Sequence, residues 1–144
     1  MTPLDDFLSR VKDWAPRQTD LCGVLLVGSY ARGAARRDSD VDLMLLTSAP
    51  ERYLDSTSFA EHFGAVNKWE KEDWGRVTSL RVWYQNGLEV EYGIARPDWA
   101  SLPVDPGTQQ VLSNGMQIIF DPESILSKLI SLGLSPDRPS KGIP

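Results

Sequence analysis

The sequence predicts a protein of mixed α and β structure, and three observations carry that expectation. Two short, mostly apolar runs, at 21–27 and 41–46, have the length and composition of strands buried on both faces. Asn86-Gly87 stands between two alternating segments, 77–84 and 88–95, a strong short-range signal for a hairpin. The N-terminal stretch places apolar residues at helical spacing until Pro16 interrupts it.

The elements follow in order. Thr2 is placed to cap the first helix, Pro3 suits its first position, and Asp5 stands three residues after the cap. Leu4, Phe7, Leu8, Val11 and Trp14 then form its buried stripe. The strand at 21–27 contains Cys22, which reads as packing because no nearby charge would favour its thiolate. Residues 29–35, rich in Ala and Arg, read as a brief helix before the second strand. A further helix is expected over 51–66, with Tyr53, Leu54, Phe59 and Phe63 apolar and Gly64 near its end. His62, the only histidine, reads as solvated. The charged run 67–75, with Trp69 and Trp74, reads as a loop. After the hairpin, Pro97, Pro103 and Pro106 punctuate an irregular stretch. A helical turn at 109–112, a small edge strand at 116–120 and a terminal helix at 124–132 complete the expected elements. Residues 135–144 hold three prolines and no hydrophobic face, which suggests a loose tail.

Composition bounds the function without identifying it. The 144 residues suit one domain, and a chain of that size buries roughly two-thirds of its unfolded surface. Against 20 Asp and Glu stand 15 Lys and Arg, a net charge of −5. That balance argues against a non-specific nucleic-acid binder, which needs a basic footprint to displace phosphate counterions. Asp5 and Asp6 interrupt the N-terminus where the apolar run of a signal peptide would begin, and no apolar stretch is long enough to span a bilayer. A single cysteine cannot form an internal disulfide and fits a reducing compartment. The expectation is a cytoplasmic protein that makes no use of a membrane.

The chemistry concentrates in residues 28–43, GSYARGAARRDSDVDL. A buried strand that ends in Gly28-Ser29 and turns into a helix presents free backbone N–H groups and a partial positive charge to an anion. Gly28 allows close approach of a phosphate, and the Ser29 hydroxyl adds a donor. Asp40 and Asp42 follow at i and i+2, a spacing that puts both carboxylates on one face of a strand. Side by side they repel unless a cation neutralises them, and hard oxygen ligands suit Mg²⁺ held together with substrate phosphates. An anion site beside such a pair implies a metal-bound nucleoside triphosphate. Glu89 and Glu91, at i and i+2 on the second arm of the hairpin, offer a third carboxylate; by themselves they also fit an ordinary solvent-facing sheet surface.

The pattern Gly-Ser, about ten residues, then Ser-Asp-x-Asp-Leu resembles the signature of the DNA polymerase β-like nucleotidyltransferase superfamily. It is similar in style to the minimal and the aminoglycoside- or lincosamide-type members. The matching residues are Gly28, Ser29, Arg32, Gly33, Ser39, Asp40, Asp42 and Leu43. With the hairpin that follows, the likeness extends over residues 1–97, while 102–144 match no motif. The resemblance implies a mixed β-sheet of about four to five strands flanked by helices. Taken with the proline-rich end, the expected organisation is a nucleotidyltransferase domain at 1–134 and a loose tail at 135–144.

By the same resemblance, Asp40 and Asp42 bind two Mg²⁺ ions, and Gly28, Ser29 and Arg32 hold the triphosphate. Ser39 lies in the same nucleotide-binding motif, as a turn-capping hydroxyl rather than a catalyst. The third carboxylate is expected at Glu91, which lies deeper in its strand than Glu89; Glu89 is the alternative. Glu91 either ligates metal or serves as general base. The implied reaction moves a nucleoside monophosphate, AMP from ATP, onto a hydroxyl of a protein or small-molecule acceptor, with release of pyrophosphate. The short stretch after the hairpin favours a minimal enzyme that modifies a partner, such as a toxin-like protein, or completes its site as a homodimer. The alternatives are a non-catalytic nucleotide-binding or interaction module of the same fold, and an antibiotic-modifying nucleotidyltransferase. Arg36, Arg37, Lys68 and Lys71 are weaker phosphate candidates, and Trp69, Trp74, Trp83 and Trp99 read as packing. Arg81, on a strand with apolar neighbours, is a candidate to pair with a carboxylate of the site. A two-residue loop at Asn86-Gly87 would instead set it opposite Tyr92, pointing it away from Glu89 and Glu91, which counts against that pairing.

Overall fold

A computed structural model describes residues 3–27, 40–54, 58–73, 77–100 and 116–127. Within them lie helix α1 (Pro3–Trp14), strands β1 (Leu21–Val27) and β2 (Val41–Thr47), and the one-turn helix α2 (Glu51–Leu54). Strands β3 (Val66–Asp73), β4 (Thr78–Tyr84), β5 (Glu89–Ala95) and β6 (Met116–Phe120) follow. The six strands form one sheet in the order β3-β4-β5-β2-β1-β6. Neighbours run antiparallel except β2 and β5, which are parallel, so the sheet is mixed as expected.

Period-2 alternation divides the sheet into two faces. On one face Val41, Leu43 and Leu45 of β2, Val90, Tyr92 and Ile94 of β5, and Leu80, Val82 and Tyr84 of β4 pack beneath α1. Phe7, Val11 and Trp14, spaced at i, i+4 and i+7, are the residues that α1 buries there. Trp14, Tyr53, Phe59, Phe63, Phe7 and Tyr92 join through ring contacts with centroids 5.0–6.4 Å apart, several of them edge-to-face. At the heart of this layer the Tyr84 and Tyr92 hydroxyls lie 2.5 Å apart, and Tyr84 donates on to the Ala60 carbonyl. The opposite face carries a smaller apolar cluster, with Leu25, Val27, Met44 and Leu46 covered by Trp99 and Leu126. That cluster covers only part of the face. The remainder, over β2, β5 and β4, bears polar side chains.

Asp20, at the turn into β1, ties three elements together. Its buried carboxylate accepts from Thr47 Oγ1 on β2 and from the Tyr53 hydroxyl on α2, both at 2.6 Å, and pairs with Arg52. Burial pushes its carboxyl up, but the hydrogen bonds from Thr47 and Tyr53 and the nearby Arg52 outweigh that and hold it below the usual range.

Three expectations are corrected. The run read as a loop at 67–75 is strand as far as Asp73, where β3 ends, and β3 pairs with β4 along its length. Its side chains past Val66 are exposed, so no apolar alternation marks it as a strand, and it raises the strand number to six. The single helix expected over 51–66 is the four-residue α2 and a 3-10 turn at Ala60–Phe63, with Val66 already in β3. Tyr53, Phe59 and Phe63 are buried as that reading required, but two short turns deliver them. α1 ends at Trp14, before Pro16 as expected, and a 3-10 turn at Ala15–Arg17 follows it.

The third correction concerns register. Trp83 pairs with Glu89, Val82 with Val90 and Arg81 with Glu91. The Tyr84 N–H donates to the Leu88 carbonyl and the Gly87 N–H to the Tyr84 carbonyl, which makes the loop three residues long, Gln85-Asn86-Gly87. Gly87 sits at φ +94°, the left-handed position that closes such a loop. The added residue shifts the pairing by one and turns Arg81 to the face of Glu89 and Glu91. Nothing lies within 4 Å of a Cβ built on Gly87, so a substitution there meets backbone strain alone. Gly87→Val is expected to cost about 1–2 kcal/mol, read as a lowered urea midpoint at unchanged slope.

The helix expected at 124–132 is helical at residues 125–127, where Asp121 accepts from the Leu126 and Ser127 N–H groups. Its remainder lies outside the described residues, as do the brief helix at 29–35, the turn at 109–112 and the tail at 135–144. No helix among the described residues is long and apolar enough to cross a membrane.

Candidate active site

The polar face of the sheet is built where three strand ends meet. β1 and β2 pair antiparallel, with Val27, the last residue of β1, opposite Asp42. β2 and β5 pair in parallel with Asp42 opposite Glu91. Asp40 lies two residues before Asp42, on the same side. The outcome is a cluster in which Asp40, Asp42 and Glu91 each bring one carboxylate oxygen within 4.8 Å of the others. Among the described residues this is the one such group of His, Cys, Asp or Glu side chains close enough to share a metal ion. Glu89 is not part of it and reaches the cluster only through Arg81.

Arg81 reaches into this group from β4. Its Nη1 lies 3.1 Å from Asp40 Oδ2 and 2.5 Å from Glu89 Oε2, and its Nη2 lies 2.5 Å from Glu91 Oε1. The hydrogen bond to Glu89 and the charges of Glu91 and Asp40 keep the guanidinium firmly ionised, against a smaller opposing effect of burial. This is the opposite of the orientation that a two-residue loop requires. A glycine following Asn86 as the third loop residue, rather than the second, is the signal that would have placed it.

Four carboxylates facing one guanidinium leave three negative charges when all are ionised. Asp42 shows the strain of that balance. Burial first, then the charges of Asp40 and Glu91, push its carboxyl up to about 7, with Arg81 pulling the other way. Three oxygen donors on a rigid parallel strand pair, one of them reluctant to ionise without more positive charge, suit a hard divalent cation.

The other candidates divide. Gly28, Ser29, Arg32, Ser39, Arg36 and Arg37 lie outside the described residues. Lys68, expected in a loop, stands on β3 with its ammonium 4.4 Å from the centre of the Trp83 ring, a cation–π contact on the polar face. By alternation Lys71 belongs to the opposite face. Trp99 is buried packing, as expected, whereas Trp69 is 44% exposed. Burial and the charges of Glu123 and Asp20 push the Cys22 thiol up, which fits an inert side chain.

A family model for the nucleotidyltransferase domain matches residues 7–93. No curated protein matches the chain. Among solved structures, an aminoglycoside 6-adenyltransferase from Bacillus subtilis is similar in fold, with 13% identity and a TM-score of 0.54. The match covers 81% of this chain but only 40% of that one. Two structures of the Cid1 poly(U) polymerase, one in complex with the UTP analog UMPNPP, match at 18% and 19% identity. Each covers 63% of this chain and 28% of its own, with a TM-score of 0.40.

Proposed function

The chain belongs to the nucleotidyltransferase domain family, and from that premise we propose that it moves a nucleoside monophosphate from a nucleoside triphosphate to a hydroxyl acceptor. The observation that carries this reading is the convergence of Asp40, Asp42 and Glu91 at the parallel β2–β5 junction. Asp40 and Asp42 would hold Mg²⁺, with Glu91 completing the oxygen set. Bound there, Mg²⁺ would polarise the phosphates and lower the pKa of the acceptor hydroxyl. ATP is the donor in this reading, and the acceptor is a hydroxyl on a protein or a small molecule.

The chain's own residues account for the rest. Gly28 and Ser29, directly after β1, would offer backbone and hydroxyl donors to the triphosphate, with Arg32 and Ser39 in the same motif. The acceptor oxygen attacks the α-phosphorus in line, and the bond from that phosphorus to the bridging oxygen of the β-phosphate breaks. Pyrophosphate leaves with the electron pair. The acceptor's proton passes to Glu91, the carboxylate in register with Asp42.

Incubation with Mg²⁺ and ATP labelled at the α-phosphate, alone and with a lysate or a panel of hydroxyl compounds, tests the reading. Label transfer with pyrophosphate release supports it. Nucleotide binding with no transfer to any acceptor would make the domain a non-catalytic binding module. The choice of third carboxylate is tested separately. Glu91→Gln is expected to lower turnover by about a thousandfold, whereas Glu89→Gln at saturating Mg²⁺ lowers it less than about tenfold. The reverse order in steady-state rates would move the third carboxylate to Glu89.

A further inference from the structure

Arg81 takes up two of the three carboxylates that the proposed function assigns to the metal. One of its nitrogens holds Asp40 and the other holds Glu91, while Asp42 is left outside the guanidinium's reach. A divalent cation bound by the three carboxylates needs oxygens from the same two side chains, and its charge would repel a guanidinium at hydrogen-bond distance. Arg81 holds one oxygen of each of these two carboxylates, so the repulsion between the two cations, rather than a shortage of oxygens, sets them in competition. Glu89 differs from the others in this respect: it contacts Arg81 at 2.5 Å yet lies outside the three-carboxylate group.

We propose that Arg81 is a resident counter-ion that occupies the carboxylate site before metal loading and is displaced by the incoming divalent cation, with Glu89 retaining it beside the site. The inference rests on the reading of Asp40, Asp42 and Glu91 as metal ligands. It makes Arg81 a positioning residue. Without metal, the guanidinium keeps Asp40 and Glu91 from repelling each other and prealigns them on their strands. The same contacts oppose loading, because they must break before the ion is fully coordinated. Glu89 limits that opposition by leaving Arg81 one partner the metal does not claim. A carboxylate of no use to the metal thereby acquires a function.

Direct binding of Mn²⁺ to the full chain at pH 8, followed by the loss of the free-ion electron paramagnetic resonance signal, tests this without any turnover. Arg81→Met is expected to bind Mn²⁺ about tenfold more tightly than the wild type, although its metal-free form melts at a lower temperature. Arg81→Lys, which keeps the charge but loses the fork that bridges three carboxylates, is expected between the two and serves if the methionine variant does not fold. A merely structural arginine predicts the opposite, since a loosened site binds metal more weakly. Equal or weaker binding in both variants overturns the proposal. Glu89→Gln should weaken binding severalfold in the wild-type background and little in Arg81→Met; equal weakening in both removes the retaining role of Glu89. If Asp42→Asn binds Mn²⁺ as well as the wild type, the metal-site reading itself fails. Binding by neither the wild type nor Arg81→Met overturns both ideas.

Discussion

Asp42→Asn is expected to lower nucleotidyl transfer by about a thousandfold or more while making the metal-free protein more stable. The loss follows from removing a charged oxygen from the proposed metal ligands, an electrostatic contribution of several kcal/mol in which each 1.36 kcal/mol is tenfold in rate. The gain follows from the pKa. In the folded chain the Asp42 carboxyl titrates near 7, against 3.8 for an unperturbed aspartate. Between those values the native state binds the proton and the unfolded state does not, so stability falls as the pH rises through that window. Above pH 7 the full penalty is present; below about pH 4 both states are protonated and it vanishes. Asparagine approximates the protonated form at every pH. The variant should therefore match the wild type near pH 4 and exceed it by about 2 kcal/mol at pH 8, or roughly 5 °C in melting temperature. Thermal melts in chelator across pH 4–8 measure this. A wild type whose stability rises from pH 5 to pH 8 relative to the variant would contradict the charge balance described for the site.

The second large effect lies away from the chemistry. Asp20→Ala is expected to destabilise the fold by about 3–5 kcal/mol, because it leaves the Thr47 and Tyr53 hydroxyls, both buried, without their acceptor. Asp20→Asn keeps the shape and one acceptor oxygen and should cost less. The carboxylate's folded pKa lies below the unfolded value, so its contribution is present above about pH 4 and is lost as the pH falls through the folded value. Unfolding in urea at pH 7 and pH 3 separates the two terms: the difference between wild type and Asp20→Asn should shrink at the lower pH. Activity of Asp20→Ala, assayed well below its melting temperature, should stay within a few fold of the wild type, since no contact links Asp20 to Asp40, Asp42 or Glu91 among the described residues.

Much of this was legible from residues alone, and the failures have physical causes. β1 and β2 were readable because both their faces are buried and nothing but apolar residues suits them, with Asp42 the conspicuous exception. Glu91 was readable because it alternates with Val90 and Tyr92, which point into the core. β3 was hidden because a strand exposed on both faces has no pattern to read; its pairing with β4 is a backbone fact. Arg81 was misplaced by a single residue of loop length, a difference that reverses a side chain's face and is decided by the left-handed Gly87. Between 51 and 66 the apolar spacing was right and its interpretation wrong, since a core accepts Tyr53, Phe59 and Phe63 equally well from two turns as from one helix. The raised pKa of Asp42 was beyond reach, because it depends first on burial and then on carboxylates brought together from two strands.

The parallel pairing of β2 with β5 has a consequence for how the molecule comes into being. Among the described strands it is the one parallel junction, and it joins residues that stand 49 apart in the chain, Asp42 and Glu91. The β4–β5 hairpin closes over three residues and can form early from local contacts, whereas the parallel junction must await closure of a much longer loop. The three carboxylates therefore become neighbours only when that late step is complete. A chain halted with its hairpins made would possess every acidic side chain and no place to put a cation, so metal capture in a refolding experiment should report the last stage of assembly rather than the first.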